Sequence, residues 1–137
     1  MEVNFIAVLI AGVIAMVVGF VWYGPLFGKK WMDLIGATPE SMSSEEVQKQ
    51  MMPTYVLQFV LALLEAFIFY HYVKGWEEAS GIESAVWIWL GFVVPALAST
   101  VMWTTDSSKI KMERFAIQAG YHFLLLLIWG YMFQMWA

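Results

Sequence analysis

The chain has 137 residues, of which 61% are hydrophobic and only 13% are charged, and its formal net charge is -4. An ordinary soluble domain carries about a quarter charged residues, so this composition excludes a compact soluble fold. The sequence has no cysteine, which excludes disulfides, thiolate metal sites and cysteine nucleophiles, and its cations form no basic block for nucleic acid. The composition therefore predicts a membrane protein without a nucleic-acid partner.

Four apolar runs cover residues 3–23, 53–73, 82–104 and 115–136. Each run suits a membrane span, because about 20 helical residues cross a hydrocarbon core of about 30 Å. We predict an all-α fold, an integral membrane four-helix bundle in which residues 1–137 form one transmembrane domain in the lipid bilayer. The first run follows Glu2 and lacks a small-residue cleavage site, so we interpret it as a retained span and not as a signal peptide.

Residues 24–52 form the only long connection between predicted spans. Thr38 and Pro39 are suited to the N-cap and the first position of a helix, and Ser43 with Glu46 has the spacing of a capping box. We expect one or two short helices on the cytoplasmic side in this segment. Pro53 either begins the second span or lies inside a helix that continues from the segment.

The cations predict an orientation. The first and third connections hold six of the seven Lys and Arg residues, and by the positive-inside rule these connections are cytoplasmic. Both termini are then extracytoplasmic, and the expected location is the inner membrane. The six cations are Lys29, Lys30, Lys49, Lys109, Lys111 and Arg114.

Small residues recur at every fourth position of the first run: Ala7, Ala11, Ala15 and Gly19. Such a stripe lets another helix approach closely, which drives helix association in lipid. The prediction favours packing within the chain, and a homo-oligomer through the same stripe is the alternative. In the third run, Pro95 and Ser99 lie four apart on one face, which suggests a similar close helix contact with a kink.

Polar residues inside the runs predict an intramembrane site. Glu65 falls near the middle of the second span, where an acid is expensive, and Gln58 shares its helical face. We expect Glu65 to face the bundle interior in its neutral form. Gln118 and His122 lie four apart on the fourth span, at a similar depth. The four residues form either a protonatable site for transport or an interhelical hydrogen bond that locks the bundle.

The two histidines do not predict a metal or a cofactor. His71 and His122 differ by about 16 Å in predicted depth, which is too far for axial ligation of one haem iron. Glu65 and His71 lie on different faces of their helix, which argues against a shared zinc ion. We therefore expect no metal and no cofactor.

Residues 19–32 read G-F-V-W-Y-G-P-L-F-G-K-K-W-M. This segment resembles the signature that closes the first span in the bacterial membrane-protein family called domain of unknown function 1761, approximately W-Y-S-P-L-x-F-G-K-x-W. Residues 89–93 and 119–122 resemble the third and fourth spans of that family. The resemblance implies a small multi-span protein and supplies no established activity or ligand.

The same motif has a physical interpretation. Trp22 and Tyr23 would anchor the helix end at the headgroups, Lys29 and Lys30 would meet lipid phosphates, and Trp31 would re-enter the interface. A sharper hypothesis is that Lys29 and Trp31 bind a lipid headgroup or an anionic metabolite.

Three classes of function follow from these features. The first is a small transporter or channel-like protein with an intramembrane polar seam. The alternative is a structural or partner-binding membrane protein, oligomeric and without transport activity. An enzyme ranks last, because the sequence offers no nucleophile, metal cluster or phosphate loop. We therefore predict a small multi-pass inner-membrane protein that is not an enzyme.

Overall fold

The structure, a computed structural model, describes residues 2–42 and 44–136, which form helices and no strand. In chain order the elements are α1 (Phe5–Val21), a first π-helical segment (Trp22–Leu26), α2 (Gly28–Ile35), α3 (Pro39–Met42), α4 (Glu45–Gly75), α5 (Gly81–Ile88), a second π-helical segment (Trp89–Val93), α6 (Val94–Met102) and α7 (Ser108–Trp136). The predicted all-α class is confirmed.

Four of these helical stretches are long and apolar enough to cross a membrane. They are span 1 (Phe5–Leu26), span 2 (Glu45–Gly75), span 3 (Gly81–Met102) and span 4 (Ser108–Trp136). Spans 2 and 4 begin earlier than the apolar runs predict, because helix formation continues into polar residues. Pro53 consequently lies inside α4 and does not begin it.

The connection between spans 1 and 2 contains two short helices, where one or two were predicted. α3 begins at the predicted start after Thr38, whereas α2 begins at Gly28, where no helix start was predicted. Gly36 ends α2 in the left-handed conformation with φ of 75°, which glycine adopts without steric cost. The Ser41 backbone N–H donates to the Thr38 hydroxyl over 3.1 Å, so Thr38 caps α3 as expected. Ser44 caps α4, and the predicted capping box at Ser43 lies outside the described residues.

Span 4 is the centre of the bundle, since it packs against spans 1, 2 and 3 and also against α2. Its side chains Trp129 and Phe133 have no exposed surface. Ala7, Ala11 and Ala15 of the small-residue stripe are buried within the same core. The stripe therefore packs inside the chain, and a homo-oligomer through it would have to displace these contacts.

Spans 3 and 4 touch through backbone at Gly81 and Gly130. A Cβ built on either glycine would overlap the carbonyl group of the other. The Gly81 N–H also donates to the Gln134 side-chain oxygen over 2.6 Å. Two glycines at this crossing let the helices approach more closely than any side chain would permit.

Span 3 contains a π-helical segment before Pro95, and the kink expected at Pro95 stays a prediction. The second π-helical segment ends at Val93, and Pro95 follows at the start of α6. Proline has no N–H to donate to the preceding turn, which favours a local break in the regular ladder. The irregularity divides span 3 into α5, packed against span 4, and α6, which follows the π-helical segment.

Candidate functional site

Span 4 donates two side-chain hydrogen bonds to backbone carbonyls of span 1. The Trp129 indole N–H donates to the Ala11 carbonyl over 2.9 Å, and the Tyr121 hydroxyl donates to the Ala15 carbonyl over 2.8 Å. Both acceptors belong to the small-residue stripe, where a short side chain leaves the carbonyl accessible. The stripe therefore brings the polar tips of two large aromatic residues to a partner in an otherwise apolar core.

Span 4 also accepts two such bonds. Trp22 donates its indole N–H to the Ile117 carbonyl over 2.9 Å, and Trp89 donates to the Ala119 carbonyl over 2.8 Å. Because residues two apart on a helix are rotated by about 200°, the two tryptophans hold span 4 from opposite sides. Each tryptophan begins a π-helical segment, and the residue two positions later is a glycine: Gly24 after Trp22 and Gly91 after Trp89. This shared W-x-G pattern is a signal that the sequence analysis missed.

The signature segment folds into a corner against span 4. The Tyr23 ring lies 5.2 Å from the Trp31 ring and 5.6 Å from the Tyr121 ring, measured between centroids. Gly28 lies beneath the Tyr23 carbonyl, and a Cβ there would come within 2.7 Å of that oxygen. At the rim, Lys30 forms an ion pair with Glu113 over 3.1 Å. The motif thus joins the end of span 1 to the beginning of span 4.

This corner changes the interpretation of the anchor residues. Trp22 uses its indole N–H inside the chain, and Tyr23 and Trp31 pack on each other, so all three are half-buried. These contacts join helices within the chain, and the headgroup contacts expected of Trp22 and Tyr23 stay a prediction. Lys30 has Glu113 as its partner, whereas Lys29 is exposed. Lys29 is therefore the motif's cation most open to a phosphate.

Trp22→Phe is expected to lower the free energy of unfolding by about 1 kcal/mol. The change removes an interhelical hydrogen bond, worth about 0.6 kcal/mol on average between membrane helices, and loosens the indole contact on Gly120. Trp31→Phe is the matched control, because the Trp31 indole N–H makes no hydrogen bond to the described residues. Unfolding by dodecyl sulfate titration in mixed micelles measures both variants. Equal losses would contradict the role assigned to the Trp22 bond.

A lateral cleft lies between spans 2 and 3 and has span 4 as its floor. We call it the Glu65 cleft; its volume is about 470 Å³. Its walls are aliphatic and aromatic except for a few polar groups. Three of the lining residues have titratable side chains: Glu65, Tyr72 and His122. The cleft forms because span 2 meets span 3 mainly through α5, which leaves α6 apart from it.

Glu65 and His122 line the same cleft. Glu65 lies on the wall that faces spans 3 and 4 and is exposed there. Among the described residues, neither side chain has a hydrogen-bond or ion-pair partner. The interhelical lock between them is therefore not formed, and both polar groups are open to a molecule in the cleft.

A second cleft, of about 580 Å³, lies between span 1 and the first half of span 2. We call it the Tyr23 cleft. Its polar lining comes from Tyr23 of the signature, Tyr55 and Gln58 of span 2, and Tyr121 of span 4. Gln58 therefore lies apart from Glu65, although the two share a helical face. The fourth predicted residue, Gln118, lines neither cleft, and its buried side-chain oxygen has no hydrogen-bond partner.

Neighbouring residues of span 4 line the two clefts: Tyr121 lines the Tyr23 cleft and His122 lines the Glu65 cleft. The Tyr23 cleft takes its span 2 residues from the first half of that helix, and the Glu65 cleft takes them from the second half. The sequence analysis missed Tyr121, whose position next to His122 was the available signal.

The described residues include no group of three His, Cys, Asp or Glu side chains close enough to hold a metal ion. The polar chemistry of the clefts is therefore that of one carboxyl group, one imidazole, several phenols and an amide. These groups can exchange protons and form hydrogen bonds with a bound molecule.

Together, the fold and the clefts define a small all-helical protein with four helices long enough to cross a membrane. The chain belongs to the family described as "Protein of unknown function (DUF1761)", whose model matches residues 6–133. Comparison with curated proteins and with solved structures gives no match.

Proposed function

We propose that this chain is a multi-pass protein of the inner membrane, with both termini extracytoplasmic, and that it transports a small lipophilic molecule through the two clefts. The outer surface of the bundle supports a lipid environment. Phe5, Phe20 and Phe92 are 69%, 79% and 72% exposed, and large apolar side chains so exposed require lipid or another apolar partner.

The observation that carries transport is that two neighbouring residues of span 4, Tyr121 and His122, line two different clefts. A carrier needs sites reachable from opposite sides and a partition between them that can change. The Tyr23 cleft and the Glu65 cleft occupy different halves of the bundle, and titratable side chains line both. This arrangement supports a carrier better than a channel, because the cleft walls are too apolar to line a continuous water path.

Glu65 is the group that would couple transport to protons. The groups that face its cleft are His122 of span 4 and Tyr72 of span 2, and span 3 contributes no titratable side chain to the cleft wall. With no protein partner, the carboxylate can bind either a proton or a ligand group. Competition between the two lets a proton gradient drive the ligand across.

Glu65→Gln is expected to reduce proton-coupled transport at least tenfold, because the amide keeps the shape of the side chain and cannot exchange a proton. The full chain is reconstituted in vesicles that contain the pH indicator pyranine, with the membrane potential clamped by sodium and an electrogenic sodium ionophore. Three lipophilic probes are added separately: tetraphenylphosphonium, neutral triphenylphosphine oxide and tetraphenylborate. Proton movement coupled to any probe, above that of protein-free vesicles, supports transport.

The matched control is Glu78→Gln, which neutralises an exposed acid outside both clefts and should leave transport unchanged. Transport that persists in the Glu65 variant would refute the coupling role. Wild-type protein that moves no probe would instead favour the structural alternative, which the four side-chain bonds to backbone carbonyls also support.

A further inference from the structure

We infer that the Glu65 cleft binds a lipophilic organic cation, which enters between spans 2 and 3 from the lipid and places its positive group beside the Glu65 carboxylate. This inference rests on the proposed function and deepens it by naming the class of ligand. It is carried by the charge, the aromatic walls and the size of the cleft.

The charge of the cleft favours a cation. Glu65 is the only acid among the lining residues, and no Lys or Arg lines the cleft beside it. A carboxylate in apolar surroundings requires a counter-charge or hydrogen-bond donors, and the described residues supply neither. A positive ligand supplies the missing counter-charge. An anionic ligand would meet like charge at the same place.

The walls favour an organic cation over a metal ion. Aromatic rings come from all three spans: Phe69 and Tyr72 of span 2, Phe92 of span 3 and Trp129 of span 4. Ring faces attract organic cations, and tryptophan does so most strongly. A hard metal ion would need about six oxygen ligands, whereas this cleft offers one carboxylate among mostly carbon atoms.

The size and depth of the cleft exclude a membrane lipid as its ligand. Its volume of about 470 Å³ lies within the range of sites for small organic molecules, roughly 300 to 1,000 Å³. Glu65 lies ten residues before the end of α4 at Gly75, which is about 15 Å along the helix axis. A lipid headgroup stays at the interface, so its charge would not reach this depth.

The lateral opening provides the path of entry. Span 2 is packed on span 1 and span 4, while α6 follows the π-helical segment and packs on span 4. The side chain of Phe92, in that segment, is 72% exposed at the mouth of the cleft. A molecule dissolved in the hydrocarbon can therefore enter without passing through water.

Equilibrium dialysis tests the inference with two ions of nearly equal size and opposite charge, tetraphenylphosphonium and tetraphenylborate. The full chain is placed in nanodiscs of phosphatidylcholine, whose surface carries no net charge, and empty nanodiscs give the partition of each ion into lipid, which is subtracted as the background. We expect saturable binding of tetraphenylphosphonium to the wild type, at least tenfold weaker binding to Glu65→Gln, and less than a twofold change in Glu78→Gln. Gel filtration checks that both variants are folded.

Equal affinity of the Glu65→Gln variant for the cation would overturn the inference, as would binding of tetraphenylborate as tight as that of tetraphenylphosphonium. Absence of saturable cation binding by the wild type would overturn it as well. The proposed function fails separately: cation binding without proton-coupled movement refutes transport only, and proton-coupled movement of the neutral or anionic probe without cation binding refutes only the ligand class.

Discussion

Gly81→Ala is expected to cost the fold at least about 3 kcal/mol, which is the upper end of the usual penalty for overpacking. The added methyl group would overlap the carbonyl carbon and oxygen of Gly130. A side chain could rotate away from such an overlap, but the obstacle here is backbone. Spans 3 and 4 would have to separate, and the 2.6 Å bond from the Gly81 N–H to Gln134 would lengthen with them.

Gly91→Ala provides the control within the same span. A Cβ at Gly91 meets nothing within 4 Å, and alanine is preferred to glycine in helices by about 0.5 to 1 kcal/mol. We expect this variant to be as stable as the wild type or slightly more stable. Dodecyl sulfate titration of both proteins, followed by circular dichroism, measures the difference. If Gly81→Ala unfolded at the same dodecyl sulfate concentration as the wild type, the two helices would not touch at this crossing.

Trp129→Ala is expected to lower the free energy of unfolding by about 3 kcal/mol. Trp129 has no exposed surface, donates to the Ala11 carbonyl and packs near Phe69. Replacing a buried Trp by Ala costs roughly 3 to 5 kcal/mol in soluble cores. We expect the lower end of this range, because Trp129 still lies in an apolar medium, the lipid, after the helices separate. What is lost is packing and the interhelical hydrogen bond.

Trp103→Ala is the matched control for this prediction. Trp103 is 84% exposed, so the same substitution should change stability by no more than about 0.5 kcal/mol. Trp129 also lines the Glu65 cleft, so its loss should weaken binding of tetraphenylphosphonium in the folded fraction. Similar unfolding midpoints for the two variants would contradict the placement of Trp129 at the core.

The four helices could be predicted because the length of an apolar run is a property of the sequence itself. The start of span 2 could not be predicted in the same way, since residues 45–52 are mostly polar and still favour helix. The cap at Thr38 was predictable because its bond is local. Apolar length therefore locates the spans, and capping and helix propensity set their ends.

The clefts depend on which helices pack together, and one sequence does not contain that information. Glu65 and His122 were predicted to be near each other from their depths, and they do share a cleft. Gln58 was assigned to the same seam from its helical face, but it lines the Tyr23 cleft because span 1 crosses span 2 at that level. Tyr121 is next to His122 in the sequence, but its hydrogen bond to the Ala15 carbonyl joins residues 106 positions apart and could not be predicted.

The central place of span 4 has a consequence for the order of assembly. Spans 1 and 2 pack on each other, so they can pair as soon as both have been synthesised. Span 3 has its main partner in span 4, which leaves the ribosome last of the four. Until span 4 has been synthesised, the Gly81 surface and the Trp89 indole have no partner. Span 3 then lacks its main contacts, while spans 1 and 2 can already be paired. Span 4 supplies the floor of the Glu65 cleft, so the cleft is complete only after span 4 has been synthesised.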